Sequence, residues 1–504
     1  MKFYSTLATV FALASASMAA SIIVSPTGTN AGAGTIASPK TLTAAITSIA
    51  AGDTILMRGG TYSFNIQINL AVGNNGTATA MKNIFAYPNE KPVLDFSTQA
   101  IDTNTANNFR GIQMDGNYWH LRGLDIKNSA DNGVFVSGNY NIVELCLIHG
   151  NHDSGLQISR RASTQTAIAD WPSYNLILNC ESFDNYDTPP LAGENADGFA
   201  AKLSCGLGNV FRGCVSHNNI DDGWDLFTKL ASAGYGPIGS VTIDRCVAHH
   251  NGTLTDGTTN ANGDKNGFKL GGSDMANVHY VTRCVSYANG KCGFTWNSNP
   301  GELQLSNNLA FDNTEPNFKF DAGSKVILRN NISIWTSGTG PNDKIGDNNA
   351  AGSNPSNVFW INKKSSNDNS LVFSLADFKN TISTTMSLPR LANGDLDMSV
   401  FELATGSDLL NAGVVPTGFT LPYNPATYFV GLPDIAPYET GAVEASSSSA
   451  AVSSSSATVV SSSSNAVSTL TRVRHATVAQ SQVYDLLGRA MGANVAQQIR
   501  IPMK

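Results

Sequence analysis

Charge is scarce in this chain. Only 14% of its 504 residues are Asp, Glu, Lys or Arg, against roughly 25% in an ordinary soluble domain. That shortage argues against a helical protein with charged outer faces. A basic excess is missing as well. The formal net charge is -7, which leaves no electrostatic footprint for nucleic acid. Beyond the N-terminus no apolar run approaches the ~20 residues of a membrane span. The eight histidines show no metal-ligand spacing, and His249-His250 reads as a solvated turn. In their place stand 46 glycines and many Asn, Ser and Thr residues. That composition suits a polar, turn-rich β protein.

An internal repeat then emerges. Cys146, Cys180, Cys214, Cys246 and Cys284 each end a short apolar run, and Asn308 takes the same place in the next unit. Five residues after each comes Asn151, Asn185, Asn219, Asn251, Asn289 or Asn313. Nine residues after Cys146, Cys214 and Cys284 sits a glycine, Gly155, Gly223 or Gly293. Cys180 reaches Gly198 after eighteen and Cys246 reaches Gly267 after twenty-one. Leu156, Phe199, Trp224, Phe268 or Phe294 follows each glycine. A period of about 22 residues of this kind predicts a solenoid of stacked coils, an all-β parallel β-helix. Cysteines recurring at one repeat position read as stacked, buried free thiols; a disulfide through Cys205 or Cys292 stays open.

Side chains alternate across a strand, so the residue after each glycine points inward and the next one outward. The inward column continues with Ile158, Leu226, Leu270 and Trp296, and Trp224, Phe268 and Phe294 read as a core ladder. The outward column reads Gln157, Ala200, Asp225, Lys269, Thr295. Asp225 and Lys269 are then expected on the solvent face, one coil apart, ~5 Å between backbones. Asp197 falls one coil from Asp222, with Asp221 beside it. Four carboxylates and a lysine therefore converge on one wall. The extra residues before Gly198 and Gly267 are expected to wall the site. Taken alone, an Asp-Asp pair at a turn is a solvated feature or a cap, and a lone lysine is a solvated lysine. The shared column is what lifts both above that.

Met1 to Ala19 reads as a secretory signal peptide, with Lys2, an apolar stretch from Leu7 to Ala16 and small residues before Ala20. Residues 20–442 read as the β-helix. A helix bearing Leu42, Ile46 and Ile49 on one face serves as its N-terminal cap. From 336 to 442 the pattern loosens. That stretch, with a short helix near Leu375–Lys379, is expected to pack along the solenoid and close its C-terminal end. Residues 443–465 form a serine-rich flexible linker. Residues 466–504 are a small basic piece that resembles C-terminal sorting or attachment tails of secreted bacterial proteins.

Three segments carry a wider resemblance. Asn-Ala-Asp-Gly-Phe-Ala-Ala-Lys-Leu (195–203), Asp-Asp-Gly-Trp-Asp-Leu-Phe (221–227) and Asn-Gly-Phe-Lys-Leu-Gly-Gly (266–272) are similar to polysaccharide lyase family 9. Gly52-Asp-Thr-Ile, Gly59-Gly-Thr-Tyr and Pro433-Asp-Ile-Ala-Pro-Tyr-Glu439 extend the likeness over roughly 21–442. The resemblance implies a right-handed parallel β-helix and calcium-dependent cleavage of pectate by β-elimination. Carried over by position, calcium ligands fall on Asp197, Asp221, Asp222 and Asp225, and the Brønsted base on Lys269. The substrate it implies is polygalacturonate, an acidic plant cell-wall polysaccharide; with the signal peptide, an extracellular protein is expected, acting as a monomer.

Charge bookkeeping calls for more. Four aspartates and one calcium leave about two excess negative charges, so a second calcium or Lys202, Lys229, Lys265, Arg160 or Arg161 is needed nearby. Two other readings remain at this stage. A β-helical polygalacturonase would use aspartates as acid and base for water attack, without calcium or Lys269; the Gly-His-Gly segment of such hydrolases is absent. A surface adhesin would use calcium only to stabilise the solenoid.

Overall fold

The computed structural model describes residues 19–104, 108–187, 193–346, 356–361, 363–366 and 373–442. The signal-peptide, linker and tail expectations fall on 1–18 and 443–504, outside these described residues. Three long parallel sheets of eleven, ten and ten strands run side by side, each strand pairing with its counterpart one coil away. This is a parallel β-helix. It begins at Ser21 and its last coil reaches Ile345, a longer span than the 118–335 in which the repeat is plain in sequence.

The repeat has a steric basis. A Cβ on Gly198 would lie 1.9 Å from Ser216 Oγ, and one on Gly267 would lie 2.1 Å from Ser286 Oγ. Only glycine lets the coil corner approach the next coil so closely. One apolar core fills the inside from Val24 to Phe359. All seven cysteines are free and buried. The aromatic ladder is inside as expected, with Phe199, Trp224, Phe268 and Phe294 stacked at 5.0, 4.8 and 4.7 Å between centroids. Helix Leu42–Ser48, capped by the Thr41 side chain, buries Leu42, Ala45 and Ile46 against the first strands.

Some expectations change. The repeating asparagines Asn151, Asn185, Asn219, Asn251, Asn289 and Asn313 are all buried. Each donates its amide Nδ2 to the side-chain oxygen of the next, at 2.7–2.9 Å. His249 is no solvated turn. It stacks between His217 (4.9 Å) and Tyr287 (4.9 Å) in an outward aromatic column. Near Leu375 only a single 3₁₀ turn forms, Leu375–Asp377, with a capping box from Ser374. The segment from Phe373 onward covers the outer face of the third sheet, where Met398, Phe401 and Leu409 meet Val247, Val285 and Leu309. Phe359, in an antiparallel hairpin with Lys364–Ser366, packs edge-on to Phe318 at the C-terminal end.

Candidate active site

The ten-stranded sheet that starts at Ile68–Leu70 carries the site. Its strands Phe199–Ala201, Trp224–Asp225 and Phe268–Lys269 lie on successive coils. Register pairs Ala200 with Asp225, Asp225 with Lys269 and Lys269 with Thr295. The outward column is therefore the one read from sequence. Its exposure is not. Asp225 is 2% and Lys269 7% exposed, so they line the floor of a cleft instead of an open face. The two insertions make its walls, with Glu194 and Asn195 from one and Asn262 and Asp264 from the other. The cleft encloses about 390 Å³ and also takes in Lys202, Phe227 and Lys229.

Asp197, Asp221 and Asp222 each offer a carboxylate oxygen within 4.8 Å of one another. Each is held by neighbours. Asp197 Oδ2 accepts from Ser154 Oγ at 2.8 Å and from Lys202 Nζ at 2.6 Å. Asp221 Oδ1 accepts the backbone N–H of Asp264 and of Lys265. Asp222 Oδ1 accepts from the backbone N and Nδ2 of Asn266, at 2.7 and 2.9 Å. Asp222 Oδ2 is buried and meets the Lys269 ammonium 3.1 Å away. Hard carboxylate oxygens clustered in this way fit a divalent cation that prefers oxygen ligands. Burial pushes the carboxyls of Asp197 and Asp221 well above their usual range and that of Asp222 up to about 6. Three acids that cannot easily all ionise in isolation are poised to do so around a cation.

Asp225 stands slightly apart from this trio. Its Oδ1 accepts the Phe227 N–H at 2.9 Å and lies 3.6 Å from Lys269 Nζ. Its Oδ2 lies 3.5 Å from Lys202 Nζ. Lys269 also reaches Asp264 Oδ2 at 3.0 Å and sits over the Phe227 ring at 5.5 Å. Burial works to lower its pKa, but Asp222, Asp225, Asp221 and Asp264 outweigh that and hold it well above the usual lysine value.

Of the extra cations sought from sequence, Lys202 is inside the cage and Lys229 is exposed at the cleft edge. Lys265 turns away to the Asn260 carbonyl. Arg160 is bonded to the carbonyls of Gln165 and Gly234 and lies over Tyr235. The supporting residues Ser154, Asp264 and Asn266 were not singled out from sequence. Asn266 opens the 266–272 motif and Asp264 lies two residues before it, and that adjacency was the available signal.

Comparisons with known proteins agree on one family. Residues 22–331 match the family model described as Pel9A-like, right handed beta helix region. Pectate lyase L of Paenibacillus polymyxa (strain SC2) is 46% identical over 413 residues, 82% of this chain and 87% of that protein. Pectate lyase L of Thermoclostridium stercorarium is 48% identical over 307 residues, 60% of this chain but 23% of that longer protein. The crystal structure of pectate lyase Pel9A superposes with a TM-score of 0.68 at 28% identity, covering 84% of this chain and 97% of that one. On the family model and the Paenibacillus relative alike, this chain belongs to the Pel9A-like right-handed β-helix family.

Proposed function

We propose that this chain is a secreted, calcium-dependent pectate lyase that cleaves polygalacturonate by β-elimination. The observation that carries the reading is a cleft in which a lysine ammonium meets Asp222 of a buried, cation-ready aspartate cluster and the neighbouring Asp225. Pectate lyases among its relatives, one aligned over 87% of its length, support the substrate. Asp197, Asp221 and Asp222 would hold the calcium, with Asp225 completing the set. When bound there it would neutralise the uronate carboxylate and stabilise charge developing at the adjacent C5.

Lys269 Nζ, as the neutral amine, takes the C5 proton. The electron pair of that C–H bond forms the C4–C5 double bond, the C4–O bond breaks, and water protonates the departing oxygen. Phe227 and the two insertion walls border the ammonium that results. The expected secretion follows from the N-terminal segment, and no described helix is long and apolar enough to cross a membrane.

Incubation with polygalacturonate, with and without chelator, tests this through ultraviolet absorbance of the unsaturated product. Chelator-sensitive absorbance is expected. Reducing ends without absorbance would mean a hydrolase, and metal-dependent folding without cleavage would mean an adhesin. Lys269→Ala is expected to abolish turnover in a protein that still melts cooperatively; substantial residual activity would remove Lys269 from the reaction.

A further inference from the structure

We propose that Lys202 is a positioning residue for this site, a fixed counter-charge that orients Asp197 and Asp225 and lets an anionic sugar approach a cage of four carboxylates. The inference rests on the lyase reading above and gives a second lysine a task different from that of Lys269.

The local sequence explains how an ammonium comes to lie there. Ala200 is the outward residue paired with Asp225, and its methyl leaves that flank of Asp225 open. Lys202 is the next outward residue on the same coil. Its ammonium lies between the two aspartates, 2.6 Å from Asp197 Oδ2 and 3.5 Å from Asp225 Oδ2, and donates to the Asn195 carbonyl at 3.2 Å. Two hydrogen bonds and one longer ion-pair contact thus surround the ammonium. The side chain is 7% exposed, so its charge is screened far less than that of the exposed Lys229.

Asp197 is oriented by the same contact. Lys202 and Ser154 both donate to its Oδ2. That leaves Oδ1, which takes only a long 3.4 Å bond from the Asp222 N–H, on the side of Asp222. The charge count then differs by one. Four carboxylates, a divalent cation and a neutral Lys269 sum to -2, and Lys202 brings the total to -1. A substrate that carries a carboxylate on every sugar feels that difference before any bond is made.

Lys202→Met removes the charge and keeps most of the stem. Calorimetric calcium titration, KM and kcat on polygalacturonate, and thermal melting are measured side by side. The variant is expected to bind calcium more tightly, on the order of tenfold, because a positive charge beside the ligands is gone. KM is expected to rise on the order of tenfold at low salt and by less at high salt, with kcat changing less than KM. Lys202→Arg should return KM to within a few-fold of the parent. If Lys202→Met does not fold, Lys202→Gln keeps hydrogen-bond donors without the charge and carries the same expectation. An unchanged KM, or calcium affinity that is weaker or lost, overturns the proposal. The calcium titration needs no turnover. A parent protein that makes no unsaturated product therefore defeats the lyase reading while the titration still decides the role of Lys202.

Discussion

A lysine that acts as a base must be neutral for part of each cycle, and Lys269 sits where neutrality is hard to reach. Burial favours the amine, yet four carboxylates hold its pKa well above the ordinary ~10.4. With the pKa raised, the neutral fraction falls about tenfold for every pH unit below it. Activity should therefore climb through the alkaline range as the amine is exposed, and a bound cation would shift that rise to lower pH without reversing it. The pH profile of initial rate on polygalacturonate checks this; a maximum near pH 5 would eliminate Lys269 as base. The aspartates and Lys269 were legible in sequence because strand alternation and a repeat glycine fix which residues share a column. Their depth was not legible. Alternation says outward, but only the folded insertions decide that Asp225 is 2% exposed. Lys202 was visible as a nearby cation and not as part of the cage, because its contact depends on the gap beside Ala200.

At the scale of the repeating element, the asparagine ladder ties the coils together. Asn251 accepts the Asn219 Nδ2–H at 2.9 Å and donates to Asn289 Oδ1 at 2.9 Å, and its Nδ2 also reaches the Ser216 carbonyl. A side chain with both a donor and an acceptor in one plane is needed to hand the pattern from coil to coil. Asn251→Ala would take one hydrogen bond from each buried neighbour, although Asn219 Nδ2 keeps Ser216 Oγ and Asn289 Oδ1 keeps the residue 251 backbone N–H, at a cost of about 1–3 kcal/mol. A fall in the urea midpoint with an unchanged slope is the expected sign, and a midpoint within error of the parent would contradict the ladder's stabilising role. The period that placed these asparagines was correct, and so was the coil. Their direction was not legible, since Asn at a fixed repeat position marks a corner equally well whether its amide faces water or the neighbouring coil. The same ambiguity hid the stacking of His249, which depends on Tyr287 and His217 sharing its column one coil away.

For the molecule as a whole, the question is whether the segment beyond Phe373 is a covering or part of one cooperative unit. Two facts favour the second. Its apolar residues share a buried cluster with the third sheet. At the far side, Arg283 links the two parts: it grips the fully buried Asp244 through Nε and Nη2 at 2.7–2.9 Å. Its guanidinium also lies 4.1 Å from the ring centre of Tyr423 and 4.5 Å from that of Tyr428. Burial would raise the Asp244 carboxyl, but the guanidinium groups of Arg283, Arg212 and Arg245 outweigh it and hold the pKa below 3.8. A depressed carboxyl adds stability that is present above its unfolded value and is lost as pH falls through the folded one. The cluster therefore works at neutral pH and fails in strong acid. Arg283→Met should cost about 1.5–3 kcal/mol, because Asp244 loses its charge-assisted bonds to Arg283 while Arg212 still holds it at 3.1 Å. It should also free the covering segment locally. The amides of Val414 and Thr420, which donate to Asn330 and Gln304 on the solenoid, would then exchange with deuterium faster than those of the coil strands. If in the variant they still exchange only with global unfolding, the segment is held by its apolar face alone and Arg283 is not the link.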